Sequence, residues 1–171
     1  MGGCGRPPET YLSVGSSRGM KIAVFPGSFD PVTLGHLSVI EAVVPLFDKI
    51  YVAIGVNADK PGCFPVEQRK QWLQQVLSSF DNIEIIDYNG LTVDLCKTLN
   101  AKFLVRGLRN ALDFQYEKDM AEANRKLWPE LQTLFIPTLP EYSCISSSVV
   151  RDVFRHGGDF TPFLPKGVIL K

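Results

Sequence analysis

At 171 residues, 45% of them hydrophobic, the chain can bury one full core, and 18 acidic against 18 basic side chains leave it without a net field. That balance argues against a nucleic-acid scaffold, and no apolar run approaches the roughly 18 residues of a membrane-spanning helix, so neither nucleic acid nor a membrane is an expected partner. Four scattered cysteines (Cys4, Cys63, Cys96, Cys144) form no C-x-x-C pair, and with only two histidines they indicate neither a zinc site nor a disulfide framework; reduced cytoplasm fits best.

Residues 1–19 are rich in Gly, Ser, Pro and Arg, lack periodicity, and have no basic-then-apolar secretion signal. They read as a disordered leader or expression extension, with Met20 the expected native start of one folded domain over 20–171. Lys21–Phe25 (KIAVF) reads as a buried parallel strand that Pro26-Gly27 ends, and Asp30-Pro31 makes a second break. From Leu34 onward, Leu34, Leu37, Ile40, Val44 and Phe47 recur at helical spacing, which puts Gly35 and His36 in the first turn of a helix. A second strand is expected over Lys49–Val56, then a Gly/Pro-bearing loop over Asn57–Phe64 that carries Lys60. A helix over Val66–Phe80 presents Trp72, Leu73, Val76 and Leu77 on one face.

Further on, Asn82–Asp87 reads as a short strand, Leu91–Leu99 as a short helix and Lys102–Val105 as the fourth strand. A polar loop with Arg106 and Arg109 leads to a charged helix, Asp113–Leu127, stopped near Pro129. Leu131–Ile136 is the fifth strand and Ser146–His156 the last helix. Five strands with intervening helices imply an α/β, doubly wound, five-stranded parallel sheet of Rossmann-like type. In such a fold ligands bind beyond the carboxyl ends of the strands, where strand order reverses.

Three motifs fall at that edge. A small residue and an imidazole at Gly35 and His36 lie where free N–H groups and the positive end of a helix dipole converge, although a first-turn histidine serves equally as a cap. Arg106-Gly107-Leu108-Arg109 offers two guanidinium groups that match phosphate oxygens, or that pair with Asp113 and Glu117. Ser146-Ser147-Ser148 opens the last helix with three hydroxyls and Arg151 one turn on, the pattern of an ordinary cap or of a phosphate site. The string is neither a Walker loop nor a G-x-G-x-x-G turn.

Thr33-Leu34-Gly35-His36, preceded by Gly27-Ser28-Phe29-Asp30-Pro31, resembles the T-x-G-H signature of the nucleotidyltransferases that transfer a nucleotide's α-phosphoryl group. With Lys60-Pro61, RGLRNALDFQYE after the fourth strand, ISSSVVR, and GGD and FLP within Gly157–Pro165, the chain is similar to the bacterial phosphopantetheine adenylyltransferases from Met20 to about Pro165. The resemblance implies a Rossmann-like nucleotidyltransferase fold and adenylyl transfer from ATP to 4′-phosphopantetheine, with Mg²⁺ as cofactor, a homohexamer as the assembly and coenzyme A as a feedback ligand. It assigns His36 to stabilising the transferring group, and Ser28, Lys60, Thr92 and Arg106 to substrate binding. It assigns Ser28, Phe29, His36, Gly107, Leu108, Arg109, Glu117, Tyr142, Ser143, Cys144, Ile145, Ser146, Ser147 and Ser148 to ATP, and no residue to a metal. Ser28 stands where the family usually has threonine, Tyr142 and Cys144 where bulkier aromatics are common, and the chain stops soon after Pro165.

Overall fold

The computed structural model describes residues 19–57 and 61–170; apart from Gly19, the expected leader lies outside the described residues, as does Lys60. Strands β1 (Ile22–Gly27), β2 (Lys49–Gly55), β3 (Ile83–Tyr88), β4 (Phe103–Leu108) and β5 (Gln132–Pro137) form one parallel sheet in the order β3-β2-β1-β4-β5. Helices α1 (Leu34–Val43), α2 (Val66–Val76), α3 (Thr92–Thr98), α4 (Ala111–Leu127) and α5 (Ser147–Arg155) connect or follow them.

Because side chains alternate along a strand, the apolar runs of β1 and β2 fill two cores at once. Ala23, Phe25, Ile50, Val52 and Ile54 pack toward α1, α2 and α5, meeting Ile40, Leu73 and Val150. Val24, Ala53 and Leu104 pack toward Val93 and Cys96 of α3. Each such side chain, fully buried, contributes roughly 1.5–3 kcal/mol. Beyond the last expected helix, Leu164, Val168 and Leu170 are also buried and close the first core from the C-terminal side.

Two sequence expectations need correction, and both corrections shape the site. Pro26-Gly27 does not end β1: Pro26 pairs with Ala53 and Gly27 with Ile54 on the β2 side. On the other side the β1–β4 ladder covers only Ala23–Phe103 and Val24–Leu104. A strand residue points its N–H and C=O to the same side, and the Pro26 carbonyl receives Arg106 Nη1 at 2.9 Å, so the missing proline N–H falls where the ladder has already stopped. Similarly, Arg106, Gly107 and Leu108 are not loop but strand, paired with Phe135, Ile136 and Pro137. The sheet therefore splits between β1 and β4, where strand order reverses, and a guanidinium stands in the gap.

Candidate functional site

At the β1/β4 gap a cavity of about 310 Å³ is lined by the β1–α1 turn, the end of β4, α4 and the start of α5. Thr33 caps α1 reciprocally with His36: the Thr33 side chain accepts the His36 amide at 3.4 Å, and the Thr33 backbone N–H donates to His36 Nδ1 at 3.1 Å. An imidazole nitrogen that accepts a backbone N–H carries no hydrogen, so the neutral ring holds its proton on Nε2. Burial, with the charges of Arg109 and then Arg106, lowers the pKa of His36 from 6.5 to about 4, which keeps the ring neutral near pH 7. The cap and phosphate-donor readings of His36 are thus compatible: Nδ1 closes the helix and Nε2–H is left over.

Gly35 also lines the cavity. A Cβ there would meet Thr33 Oγ1, Ile145 O and Thr138 Cγ2 at 3.6–3.8 Å, ordinary contact distances. Packing does not demand the glycine, which costs helix stability, and its missing side chain leaves that space open in the cavity. Phe29, fully buried, does not line the cavity; its ring lies 5.0 Å from that of His36 and supports it from the core side.

The two arginines are both paired within the protein. Arg106 donates Nε and Nη2 to the Glu117 carboxylate at 2.7 and 2.5 Å, a bidentate fork that also reaches Pro26 O. Arg109 grips Asp113 at 2.9 and 3.1 Å. Burial opposes the charge of Asp113, but the hydrogen bonds from Arg109 win and hold its carboxyl below the usual range. Both pairs line the cavity, so the positive groups are pre-oriented there.

The serine run opens α5 as expected, and Ser146 is the ordinary cap. The Ser146 hydroxyl caps α5 by accepting the Val149 amide, Ser147 Oγ donates to Pro31 O at 2.9 Å, and Ser148 Oγ accepts from Arg151 Nη2 at 3.1 Å. The hydroxyls hold the protein together, and an anion would meet the unsatisfied first-turn amides of α5.

Ser28, His36, Arg106, Gly107, Arg109, Glu117, Ile145 and Ser146–Ser148 therefore share one cavity. Thr92 lines an adjoining cavity of about 120 Å³ with Leu104, Met120 and Asn124, and the two cavities share Pro26, Arg106 and Glu117. Leu108, Tyr142, Ser143 and Cys144 do not line the first cavity; the last three form the connection before α5. Sequence reasoning missed Thr138, which lines it, and Asp30 and Arg69, which are buried and line a neighbouring cavity that shares Ser28 and Arg151 with it. Arg69 had a signal: it sits three, four and seven residues before Trp72, Leu73 and Val76, on the apolar face of α2. Among the described residues no three His, Cys, Asp or Glu side chains gather to hold a metal, and the cavity's Asp113 and Glu117 are already engaged by arginines.

Residues 24–153 match the cytidylyltransferase-like family. The chain is 49% identical over 152 residues to a phosphopantetheine adenylyltransferase of Flavobacterium psychrophilum, covering 89% of this chain and 100% of that protein. It is 45% identical over 150 residues to that of Lachnoclostridium phytofermentans, covering 88% and 92%. Among solved structures, a putative nicotinate-nucleotide adenylyltransferase from Vibrio parahaemolyticus superposes with a TM-score of 0.64 over 85% of this chain and 86% of that one, at 19% identity; this likeness is one of fold.

Proposed function

The chain belongs to the phosphopantetheine adenylyltransferases of the cytidylyltransferase-like family, and from that premise we propose that it transfers the adenylyl group of ATP to 4′-phosphopantetheine, giving 3′-dephospho-coenzyme A and pyrophosphate. One observation carries the reading: His36, Arg106 and Arg109 converge in one cavity, and Arg106 is shared with the adjoining cavity that Thr92 lines. ATP phosphates would occupy the first cavity, against Arg109 and the α5 amides. The acceptor would place its phosphate near Ser28 and Arg106 and its arm along the second cavity; Lys60 is assigned to the acceptor by resemblance alone.

An oxygen of the acceptor phosphate attacks the α-phosphorus of ATP, and the bond from that phosphorus to the bridging oxygen breaks, its electron pair leaving with pyrophosphate. The nucleophile is already anionic near neutral pH, so no side chain has to remove a proton. What the protein supplies is alignment of two polyanions and donors for the charge that builds on the α-phosphoryl oxygens. Neutral His36 offers Nε2–H for that purpose. Magnesium bound with ATP would neutralise phosphate charge; the residues present fit a Mg²⁺ held by phosphate oxygens and water rather than by a carboxylate cage.

Assembly as a homohexamer is part of the proposal. It is supported by α4, which buries no residue within the chain and leaves Leu112 83% and Tyr116 65% exposed, beside Phe114 and Met120. Coenzyme A carries the same pantetheine arm as the acceptor and would compete for the second cavity. The free thiols Cys63, Cys96 and Cys144 support a reducing, cytoplasmic setting. The deciding assay supplies ATP, Mg²⁺ and 4′-phosphopantetheine, with nicotinate mononucleotide as a competing acceptor. Dephospho-coenzyme A and pyrophosphate in equal amounts is the expected result; pyrophosphate release only with the other acceptor would overturn it.

A further inference from the structure

Side chains from α2 and α5 hold the turn between β1 and α1 by its carbonyl oxygens. Arg69 donates Nη1 to Ser28 O at 2.8 Å, Arg151 donates Nη1 to Asp30 O at 2.7 Å, and Ser147 Oγ donates to Pro31 O. The Asp30 carboxylate reaches the opposite way and accepts the amides of Cys63 and Phe64 at 2.7 and 2.9 Å. Each captured carbonyl is a partial negative charge drawn off by a donor, which a turn facing polyanions requires.

Arg69 lines a neighbouring cavity with Asp30 and Gly62 and is unlike the cations of the first. It is only 4% exposed, its Nε has no hydrogen-bond partner among the described residues, and that atom lies 4.0 Å from Asp30 Oδ1. Gly62 lies so close that a Cβ there would come 3.0 Å from Arg69 Nη2 and 3.1 Å from Asp30 Oδ2. A guanidinium buried this deeply, with a donor unspent, is a poor device for stability, because a well-packed apolar side chain does as well or better. What it restrains is unusual: between Ser28 and Asp30 sits Phe29 at φ 46°, a left-handed backbone that a bulky residue holds only when its surroundings enforce it.

We infer that Arg69 is a positioning residue for the reaction: by gripping Ser28 O beside the Asp30 carboxylate it enforces the Phe29 backbone and thereby aims Ser28 into the cavity. The inference rests on the reading above, in which Ser28 meets the acceptor phosphate. Without Arg69 the turn relaxes and Ser28 leaves its station, while Arg109 and the α5 amides, on other elements, stay in place.

The test is a double-mutant cycle of Arg69→Lys and Ser28→Ala, with KM measured for both substrates and thermal unfolding followed in parallel. Lysine keeps the buried charge but lacks the planar guanidinium that carries Nη1 to Ser28 O, so Arg69→Lys should raise the KM for 4′-phosphopantetheine about tenfold and leave that for ATP within about twofold, as loss of one charged hydrogen bond would. Once Ser28 is alanine, the Arg69→Lys change should add nothing to the acceptor KM. Additive effects, or a lower unfolding temperature with unchanged KM, would show that Arg69 only stabilises the fold; Arg69→Gln replaces Arg69→Lys in the cycle if the lysine variant is insoluble. Hydrogen exchange over residues 27–33 without substrate separates the two claims. Faster exchange in the variant with wild type inactive toward 4′-phosphopantetheine would fault the function alone, and unchanged exchange would fault the inference.

Discussion

The Thr33 backbone N–H donates to His36 Nδ1 at 3.1 Å, and this one contact determines what the imidazole can do. It removes Nδ1 from the chemistry, fixes the ring against α1 and leaves a single N–H, on Nε2, to meet a phosphoryl oxygen. Nitrogen NMR of His36 should find the Nε2–H tautomer and no protonation between pH 8 and pH 5. Because the folded ring takes a proton only near pH 4 and an unfolded one near 6.5, the unfolded chain binds more protons in that window. The contribution of His36 to stability is therefore complete above pH 6.5 and is lost as pH falls toward 4. A His36→Gln variant should lose less stability over that range than wild type, as read by unfolding temperature against pH.

Removing the donor tests its place in the reaction. An Nε2–H that gains most as charge builds on the α-phosphoryl group acts on the transition state, so His36→Ala should lower kcat by roughly 10²–10³-fold while the Kd of ATP changes little. Calorimetry and steady-state kinetics on the same preparation read the two quantities. Loss of ATP affinity in proportion to activity would make His36 a binding contact.

Arg106 and Arg109 should part company. Arg106 reaches Glu117 and Pro26 O and borders both cavities, whereas Arg109, among the described residues, is held by Asp113 and borders the first cavity but not the second. Arg106→Ala should raise the KM for 4′-phosphopantetheine by roughly 10–100-fold, as for loss of a charge-assisted hydrogen bond, and it frees the Glu117 charge against the incoming phosphate. Arg109→Ala should act mainly on the KM for ATP. Arg106→Lys should rescue little, since an ammonium cannot reproduce the fork. Equal effects of both alanine variants on one substrate would refute the division.

The exposed apolar face of α4 gives a prediction about mass. Light scattering at micromolar concentrations should give a hexamer, and Leu112→Asp with Tyr116→Asp should reduce the mass without unfolding the chain, since neither side chain is buried within it. A monomeric wild type would refute the assembly.

The strand and helix order was legible because buried parallel strands and amphipathic helices carry different apolar periods, and Gly35 with His36 fell in the first turn of α1 as their spacing required. Pro26-Gly27 and Arg106–Leu108 misled, because proline, glycine and arginine read locally as strand breakers; they are tolerated since the β1–β4 ladder has already opened. Asp30 was illegible for another reason: its partners, Cys63 and Phe64, stand 33 and 34 residues away, and only the fold brings them together. The serine run was read correctly as a helix start but not in its wiring, since Ser147 Oγ is committed to Pro31 across 116 residues.

Gly107 allows the split sheet itself to be tested. On β4 its bare backbone lies against α1, where a Cβ would come 3.0 Å from Val39 Cγ2. Val39 is branched at Cβ and only 2% exposed, so its side chain has few rotamers into which it can retreat. A methyl at 107 requires Val39 to give by a few tenths of an ångström, a shift that its branched, buried side chain would pass to the helix that carries His36. Overpacking of this kind costs about 1–3 kcal/mol, and in a chain of this size each kcal/mol lowers Tm by about 2–4 °C. Gly107→Ala should thus lower Tm by several degrees and, because Nε2–H is drawn away from the cavity, lower kcat as well. The paired change Gly107→Ala with Val39→Ala returns the space, so it should recover kcat even though Val39→Ala alone destabilises the core. Recovery of Tm without kcat would show that Gly107 serves the ligand directly; recovery of both would show that it serves the seat of α1.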